Sequence, residues 1–275
     1  MPTPSAQPEV LFVSHGGGPL PLLGDPGHGE MVTCLQQIAG RLRKPSAILV
    51  ISAHWEESQP SITFASHPPL IYDYYGFPDE SYSIEYPAPG EPALAQAVYD
   101  ALSQSGIEAR KDSSRGFDHG LFVPLKLLFP QADIPCVQLS LKSNLNASEH
   151  LAIGAALRGL EWENLLVLGS GFSFHNMKAF FAAETDESRR LNSAFEQWLH
   201  ETCTSAALTE AERAERLVHW SSAPGARFCH PREEHLLPLH VCYGIAQAPC
   251  AEPFALNILH KRASMYLWPA ALASA

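Results

Sequence analysis

The sequence predicts an α/β fold: a single-domain sandwich over residues 1–275, with a central, largely parallel sheet flanked by helices. Two observations predict it. Short, continuously apolar runs, which are typical of strands buried on both faces, alternate along the chain with segments of helical periodicity. No repeat, low-complexity segment or linker divides the chain, and 275 residues are enough to bury one large core.

In the first half of the chain each element has its own signal. Residues 9–15 (EVLFVSH) are an apolar run that predicts a buried strand, and residues 30–42 (EMVTCLQQIAGRL) have the apolar spacing of a helix. Residues 46–54 (SAILVISAH) predict a second buried strand, which begins after Pro45. Residues 91–106 predict a helix, because glutamate and proline stand at its start and glycine at its end.

The second half continues the same alternation. Residues 134–141 (IPCVQLSL) and 164–171 (NLLVLGSG) predict strands on either side of a helix at 146–160, which either Asn146 or Ser148 could cap. The remaining elements are two helices and a strand at an edge of the sheet, at 187–203, 233–248 and 253–260.

The stretch from residue 56 to residue 90 is long, aromatic and rich in proline. Long ordered loops in compact domains are often functional. Its tyrosines and Phe77 are therefore candidates to line a pocket, and simple packing of these rings beneath the loop is the alternative.

Charge and composition argue against several classes of partner. The formal net charge of −11 argues against binding to nucleic acid or to an anionic membrane. No apolar run reaches the roughly 18 residues of a membrane span. The N-terminal residues show no export signal, so we expect a cytoplasmic protein. The six cysteines form no CxxC pair, and we expect free thiols.

Three histidines follow predicted parallel strands at their carboxyl ends. They are His15 after EVLFVS, His54 after ILVISA and His175 after LLVLGSGFSF. Ligands of open α/β sheets bind in the crevice at this edge, and histidine is the commonest metal ligand and a common general base. The three positions therefore predict a metal or catalytic site at one rim of the sheet.

Two further histidines are candidates on local grounds. His119 follows Asp118 in RGFDHGL and either donates a hydrogen bond to a substrate or serves only as a turn residue. His235 lies in CHPREEHLLPLH, where Pro231 can start a helix, and Glu234 is a rival ligand beside it. Because neighbouring helical residues point about 100° apart, we expect only one of these two side chains to face the site.

The glycine-rich segment HGGGPLPLLGD does not fit a phosphate-binding loop. It lacks the lysine and hydroxyl of GxxxxGK[ST] and the spacing of GxGxxG. Pro19 and Pro21 also remove backbone N–H donors that such a loop would use. No HExxH or GxSxG motif is present in the chain.

Six segments, in order, resemble one family. They are VSHGGGP, VISAHWE, IYDYYGFPDESYSIEYPAPGEPALA, GFDHGLFVPLKLLFPQADIPCVQLSL, GSGFSFHNM and HPREEHLLPL. Their sequence and order resemble the class III extradiol ring-cleaving dioxygenases, within the LigB-type superfamily and nearest to its DOPA dioxygenase-like branch. The resemblance spans nearly the whole chain.

The resemblance implies a role for each of the five histidines. His15, His54 and His235 match the ligands of one mononuclear divalent metal, His175 matches the catalytic histidine, and His119 matches a histidine that lines the substrate site. Glu234 stays an alternative third ligand, because a glutamate can fill that position in the broader superfamily. We also expect the glycines at 16–18 to leave room beside the metal for substrate or O₂.

The implied reaction opens the aromatic ring of a small catechol with O₂. We expect Fe(II) to support turnover because Zn(II) cannot change its oxidation state, although Zn(II) could occupy the same ligands in purified protein. Phe172 and Phe174 replace small residues common in the family, and Cys229 replaces an alanine. We expect the two phenylalanines to narrow the pocket.

Two other functions remain open from the sequence. One is a zinc-dependent hydrolase that uses the same three histidines, although the chain has no dedicated HExxH glutamate base. The other is a non-enzymatic binding protein similar to Memo, a superfamily member adapted to interaction. The presence of all five histidines favours the chemical function.

Overall fold

A computed structural model describes residues 7–270, and one eight-stranded sheet runs through them. In chain order the strands are β1 (Glu9–Ser14), β2 (Ala47–Glu57), β3 (Ser61–Thr63), β4 (Arg110–Asp112), β5 (Cys136–Lys142), β6 (Leu165–Gly171), β7 (Glu252–Ile258) and β8 (Lys261–Trp268). Across the sheet their order is β4-β3-β5-β2-β6-β1-β8-β7.

The four central strands are parallel, which confirms the predicted architecture. β5, β2, β6 and β1 pair side by side in the same direction. The antiparallel pairs lie outside this centre, where β3 meets β5, β8 meets β1, and β7 forms a hairpin with β8. Since neighbouring parallel strands require crossovers, helices cover both faces of the central strands.

Nine α-helices surround the sheet in the described residues. They are α1 (Gly29–Ala39), α2 (Pro92–Gln104), α3 (His119–Leu128), α4 (Ala147–Leu157), α5 (Met177–Phe181), α6 (Asp186–Thr204), α7 (Glu210–Val218), α8 (Ala226–Cys229) and α9 (Leu237–Ala246). Short 3₁₀ helices span Leu20–Leu23, Pro26–His28, Asp79–Ser83 and Trp220–Ser222.

Alternate strand residues supply two apolar layers, one on each face of the sheet. In β1, for example, Val10 and Phe12 pack on the face covered by α2, α4, α6 and α9, whereas Leu11 and Val13 pack on the face covered by α1 and α3. All four are buried. This arrangement fixes the register of the strands, because a slip by one residue would move every side chain to the other face.

The structure corrects the predicted start of one helix. The helix predicted at 233–248 begins at Leu237, because residues 231–236 form bends and turns. Pro238 lies in its first turn, where a missing N–H is tolerated, and Pro231 does not start it. His235 therefore lies in a turn before α9. For α4 the open choice of cap is settled, since the Asn146 side chain accepts a hydrogen bond from the Glu149 N–H.

β2 is irregular at its carboxyl end. Ser52 pairs with Ser140 of β5, but the next pair joins Glu56 to Leu141, so three residues of β2 have no counterpart on β5. His54 is the middle one of these three. The predicted placement after the strand is thus replaced by placement within a bulge, a device that redirects side chains.

β7 forms one outer edge of the sheet. Residues that alternate along an edge strand turn their N–H groups outward, and here that set includes Pro253, Ala255 and Asn257. Proline has no N–H to offer. The N–H of Asn257 donates to Glu30 Oε2 of α1 at 2.6 Å. Two of these three outward positions therefore present no free donor.

Two smaller predictions concern the thiols and the helices. The six cysteines are free, as expected, and five of them are buried. Of the helices in residues 7–270, none combines the length and the apolar character that crossing a membrane requires.

Candidate metal and catalytic centre

All five predicted histidines meet at the carboxyl edge of the parallel strands. His15 follows β1, His175 follows β6, His54 lies in the β2 bulge, His119 opens α3, and His235 lies in the turn before α9. Neighbouring ring centroids are separated by 4.9 Å (His15–His54), 5.3 Å (His15–His235), 3.8 Å (His54–His119), 5.0 Å (His54–His235) and 3.4 Å (His175–His235).

His15 occupies the centre of the cluster. Its side chain is buried, and its Nδ1 lies 2.9 Å from the Ser170 hydroxyl on the neighbouring strand β6. Its Nε2 lies 3.1 Å from His54 Nε2. When Nδ1–H donates to Ser170, the Nε2 lone pair of His15 is left free to face His54. The Ser170 hydroxyl can accept from His15 Nδ1, which is compatible with the tautomer that a metal ligand needs.

One side of the cluster is organised by Asp73, and we call His54, His119 and Asp73 the Asp73 side. Asp73 comes from the aromatic loop and accepts from His119 twice with one oxygen, at 3.0 Å from the backbone N–H and at 2.8 Å from Nδ1. Its other oxygen lies 3.7 Å from His54 Nδ1, beyond hydrogen-bonding distance. Asp73 therefore orients His119 and only approaches His54.

The opposite side is organised by Glu234, and we call His175, His235 and Glu234 the Glu234 side. The two imidazoles stack with an interplanar angle of 13°. Oε1 of Glu234 lies 2.9 Å from His235 Nδ1 and 3.2 Å from His175 Nδ1. A carboxylate oxygen can only accept, so both Nδ1 atoms carry protons, and in the neutral form of each imidazole the lone pair is on Nε2.

This geometry corrects the expectation that only one of Glu234 and His235 would face the site. That expectation assumed a helix, whereas the two residues lie in a turn that brings both side chains to the cluster. Glu234 does not take the place of His235, whose ring lies beside that of His15. It lies behind two histidines and accepts from both of them.

Burial keeps the central imidazoles neutral. It lowers the pKa of His15 and of His54 well below the usual value, and the neighbouring histidines lower it further. Burial likewise lowers the pKa of His235 to about 3, although the hydrogen bond to Glu234 acts in the opposite direction. A neutral imidazole is the form that binds a metal.

Both carboxylates remain charged, although partial removal from water disfavours the ionised form. Burial alone would raise the pKa of Glu234, but hydrogen bonds from His175 and His235 lower it well below the usual range. Burial would also raise the pKa of Asp73, and the hydrogen bonds from His119 outweigh it and lower the pKa. Each side therefore has an ionised acceptor that fixes histidine orientation.

The donor set fits one divalent metal. One ligand nitrogen each from His15, His54 and His119 lies within 4.8 Å of the other two, and the ligand atoms of the Glu234 side form a second such group. His54 and His175 keep 21% of their side-chain exposure, so small molecules can reach the cluster. The structure thus puts both His119 and His235 beside the pair formed by His15 and His54.

A polar frame, formed by Asp118, Ser52 and Arg115, supports the Asp73 side. Asp118, which precedes His119, is fully buried and accepts from the Ser52 hydroxyl at 2.8 Å and from Arg115 Nη2 at 3.0 Å. The Arg115 guanidinium also lies over the Trp55 ring, 4.9 Å from its centroid. Because Ser52 and Trp55 bracket His54 in β2, this frame connects the bulge to the start of α3.

The glycines after His15 do not have the predicted role. A Cβ on Gly16 would lie 2.6 Å from the His28 ring, and one on Gly18 would lie 3.0 Å from the Phe77 ring. Gly17 donates its N–H to His28 Nε2 at 2.9 Å. The missing side chains therefore leave room for His28 and Phe77. Positive φ values of +84° and +54° at the first and third glycines also require this residue type.

The aromatic rings of the loop lie against the Asp73 side. Tyr74 contacts His119 edge-on at 5.6 Å between centroids, and it also contacts Phe77 and Tyr82. The Tyr74 hydroxyl donates to the Ser81 carbonyl, which closes the loop on itself. The two alternatives for this loop are thus combined, because the rings pack together and border a site histidine.

Phe172 and Phe174 lie deeper than expected. Both are buried, one in each apolar layer of the sheet, and both contact the ring of Phe180 in α5. They support the helix that follows His175 and, fully covered themselves, do not face an open pocket.

Sequence reasoning missed Asp73, Ser170 and Arg232. Asp73 is separated from His119 by 46 residues, and Ser170 from His15 by 155. The available signal for Asp73 was its place inside IYDYYGF, one of the segments on which the resemblance rests. For Ser170, the signal was its position at the carboxyl end of the strand predicted at 164–171.

Known proteins match this chain over most of its length. The family described as "Catalytic LigB subunit of aromatic ring-opening dioxygenase" matches residues 10–273. "Dioxygenase tasH" of Hapsidospora irregularis is 41% identical over 257 residues, covering 86% of this chain and 78% of that protein. "4,5-DOPA dioxygenase extradiol" of Beta vulgaris is 39% identical over 241 residues, covering 86% and 87%. The protein of that name from Escherichia coli K12 is 33% identical over 235 residues, covering 86% and 84%.

A solved structure shares the fold. The crystal structure of uncharacterized protein JW3007 from Escherichia coli K12 superimposes with a TM-score of 0.75 at 27% identity, covering 95% of this chain and 99% of the other. The ordered motifs had predicted the family that these matches establish. With a family match from residue 10 to residue 273 and relatives above 30% identity, the chain belongs to the LigB family of class III extradiol ring-cleaving dioxygenases.

Proposed function

We propose that this protein is an Fe(II)-dependent extradiol dioxygenase that opens the ring of a small catechol, DOPA or a related diol, with O₂. The observation that carries the proposal is the meeting of five histidines in one cluster, where Asp73 occupies Nδ1 of His119 and Glu234 lies against Nδ1 of both His175 and His235. The names of the relatives from Beta vulgaris and Escherichia coli support a DOPA-like substrate.

His15, His54 and His235 would hold the metal. Glu234 fixes the Nδ1 proton of His235, Ser170 lies within hydrogen-bonding distance of His15 Nδ1, and burial favours the neutral form of all three imidazoles. The chemistry that Fe(II) supplies when bound is transfer of electron density from a catechol to O₂, for which Zn(II), with its fixed oxidation state, is unsuited.

His175 would move the proton of the substrate. Its Nδ1–H faces Glu234, so its Nε2 carries the lone pair that takes a proton from the catechol hydroxyl. The charge of Glu234 stabilises the resulting imidazolium, and stacking against His235 keeps the ring in place. The same nitrogen returns the proton to oxygen while the ring opens.

His119 would orient the substrate. Asp73 holds its Nδ1–H and its backbone N–H, so the ring is fixed at the start of α3 with Nε2 as an acceptor. That nitrogen can accept from the second hydroxyl of the catechol. The adjacent Tyr74 ring gives an apolar wall against which an aromatic substrate can lie.

The test is anaerobic loading with Fe(II), followed by a panel of catechols and aminophenols with O₂ uptake as the readout. We expect His175→Ala to keep stoichiometric iron and lose most turnover, and His15→Ala to lose the iron. His219→Ala, at an exposed histidine of the chain surface, is the matched control and should change neither.

Three results would contradict the proposal. The first is the absence of ring cleavage for every member of the panel. The second is turnover with Zn(II) and no O₂ requirement, which would favour a hydrolase. The third is loss of iron from His175→Ala, which would move this histidine into the ligand set.

A further inference from the structure

We propose that Arg232 is a positioning residue that fastens the two sides of the metal site to each other. The proposal rests on the metal site assigned under the proposed function. Arg232 lies in the turn that carries Glu234 and His235, and it reaches the end of β2, two residues beyond His54.

The contact with β2 is a bidentate ion pair. Nη1 and Nη2 of Arg232 each lie 2.6 Å from one oxygen of the Glu56 carboxylate. The two residues are 176 positions apart in sequence. A planar guanidinium that forks onto a carboxylate fixes direction as well as distance, which a single contact does not.

The backbone connects the two segments that Arg232 joins through β6, which pairs with β2. His54 lies in the three-residue bulge of β2, outside the regular pairing with β5. His235 lies in a turn, and its own carbonyl accepts from the N–H of Phe172 at 2.9 Å. Phe172 directly follows β6, so this contact does not join the turn to β2. The pair formed by Glu56 and Arg232 therefore directly connects the turn to β2, at the residue that follows the bulge.

Arg232 also faces the carboxylate that serves the Glu234 side. Oε1 of Glu234 accepts from both stacked histidines, whereas Oε2 is buried and has no hydrogen-bond partner among the described residues. Nη1 of Arg232 lies 3.3 Å from that Oε2. One guanidinium thus pairs with Glu56, two residues after His54 in β2, and offsets the buried charge of Glu234.

The chain supplies a closely matched control in Arg227. Its side chain is 51% exposed and pairs with Glu233, which is 25% exposed, at 2.8 Å. Arg232 is 52% exposed and Glu56 is 23% exposed. Arg227 lies over the Trp220 ring and contacts neither β2 nor Glu234. Since exposed ion pairs contribute little to stability by themselves, any difference between the two arginines reflects the site.

The experiment titrates Co(II) into the metal-free full chain and follows the visible absorption of the bound ion. We expect Arg232→Met to weaken Co(II) binding about tenfold, in the range for partners that orient metal ligands. The shape of its absorption bands should change as well. Arg232→Lys should recover part of the affinity, Glu56→Gln should lose a similar amount, and Arg227→Met should stay within about twofold of the parent chain.

Thermal unfolding of each variant separates positioning from folding. If Arg232→Met does not fold, Glu56→Gln weakens the same ion pair from the other residue and tests whether the pair positions the metal ligands. Unchanged Co(II) affinity and spectrum in the folded variants would overturn the proposal, as would an equal loss in Arg227→Met. A parent chain that binds Co(II) yet cleaves no catechol with Fe(II) would refute the proposed activity alone.

Discussion

The Asp73 side and the Glu234 side each pair one carboxylate with two histidines, but they hold them differently. On the Glu234 side, one oxygen lies within 3.2 Å of both Nδ1 atoms, and the rings stack at 3.4 Å. On the Asp73 side, one oxygen accepts from His119 twice, while His54 stays 3.7 Å from the other oxygen.

The difference shows two ways to orient a histidine. His54 is aimed by its backbone, because the β2 bulge and the frame below it fix where the side chain begins. His235 lies in a turn and depends on a side-chain acceptor that it shares with His175. A change at Glu234 should therefore disturb the proposed ligand His235 and the proposed general base His175 together, whereas a change at Asp73 should act mainly on His119.

The largest expected effect distinguishes the two sides as sources of the third ligand. We expect His235→Ala to lose Co(II) or Fe(II) affinity by more than the ~100-fold that outer partners cost. His119→Ala should keep the metal and lose substrate affinity. Isothermal titration with each metal measures the first effect, and the KM for a catechol measures the second.

The opposite result has a clear meaning, because the compact group of ligand nitrogens that contains His15 and His54 has His119 as its third member. If His119→Ala lost the metal and His235→Ala kept it, the Asp73 side would supply the third ligand. The Glu234 side would then carry only proton transfer.

The next effect concerns the carboxylates. We expect Glu234→Gln to weaken metal binding about 100-fold and to lower kcat, because a neutral amide oxygen is a weaker acceptor for the two N–H groups and its NH₂ would face the Arg232 guanidinium. We expect Asp73→Asn to cost about tenfold, chiefly in KM, since the Asn oxygen can still accept from His119. Equal effects of both substitutions on metal affinity would contradict the asymmetry of the two sides.

The smallest effect concerns the pH dependence of the unfolding free energy, and it separates the contribution of the buried His150 from that of the site histidines. His150 is buried, donates from Nδ1 to the Asn146 carbonyl at 2.7 Å and accepts at Nε2 from the Lys142 N–H at 3.1 Å. Burial lowers its pKa to about 4. Below about pH 6.5, His150 therefore binds a proton in the unfolded chain but not in the folded chain. The unfolding free energy consequently falls as the pH falls.

Between pH 7 and pH 5 this group should cost about 2 kcal/mol of unfolding free energy. His150→Gln, which can still accept from Lys142, should remove that part of the pH dependence in urea unfolding of the metal-free chain. A pH dependence unchanged by the substitution would assign the acid sensitivity to the histidines of the two sides.

The sequence predicted the centre of the fold well because local signals determine it. Continuous apolar runs, which predict buried strands without any long-range information, form β1, β2, β5 and β6. The three-residue strands β3 and β4 carry no period that a pattern can detect. α3 was missed because it is apolar almost all round and contains Pro124, so neither amphipathic spacing nor an uninterrupted run indicated a helix.

The site was predicted as far as its histidines and no further. His15 and His175 follow from strand ends, and the resemblance supplied the roles of His119 and His235. Their partners could not be found in this way, because Asp73 and Ser170 meet His119 and His15 across the fold. Arg232 likewise meets Glu56 at a separation of 176 positions. Pairing at that separation depends on the order of strands across the sheet, which no local pattern contains.

The outer edge of β7 has a consequence for the protein at high concentration. A sheet edge with free N–H groups is a template on which a strand of another copy can add, and repeated addition leads to aggregation. Pro253 and the contact between Asn257 and Glu30 leave Ala255 as one outward donor between two closed positions. Because a single hydrogen bond cannot begin a ladder, this edge resists polymerisation, and the sheet can end in open solvent without becoming a nucleus for others.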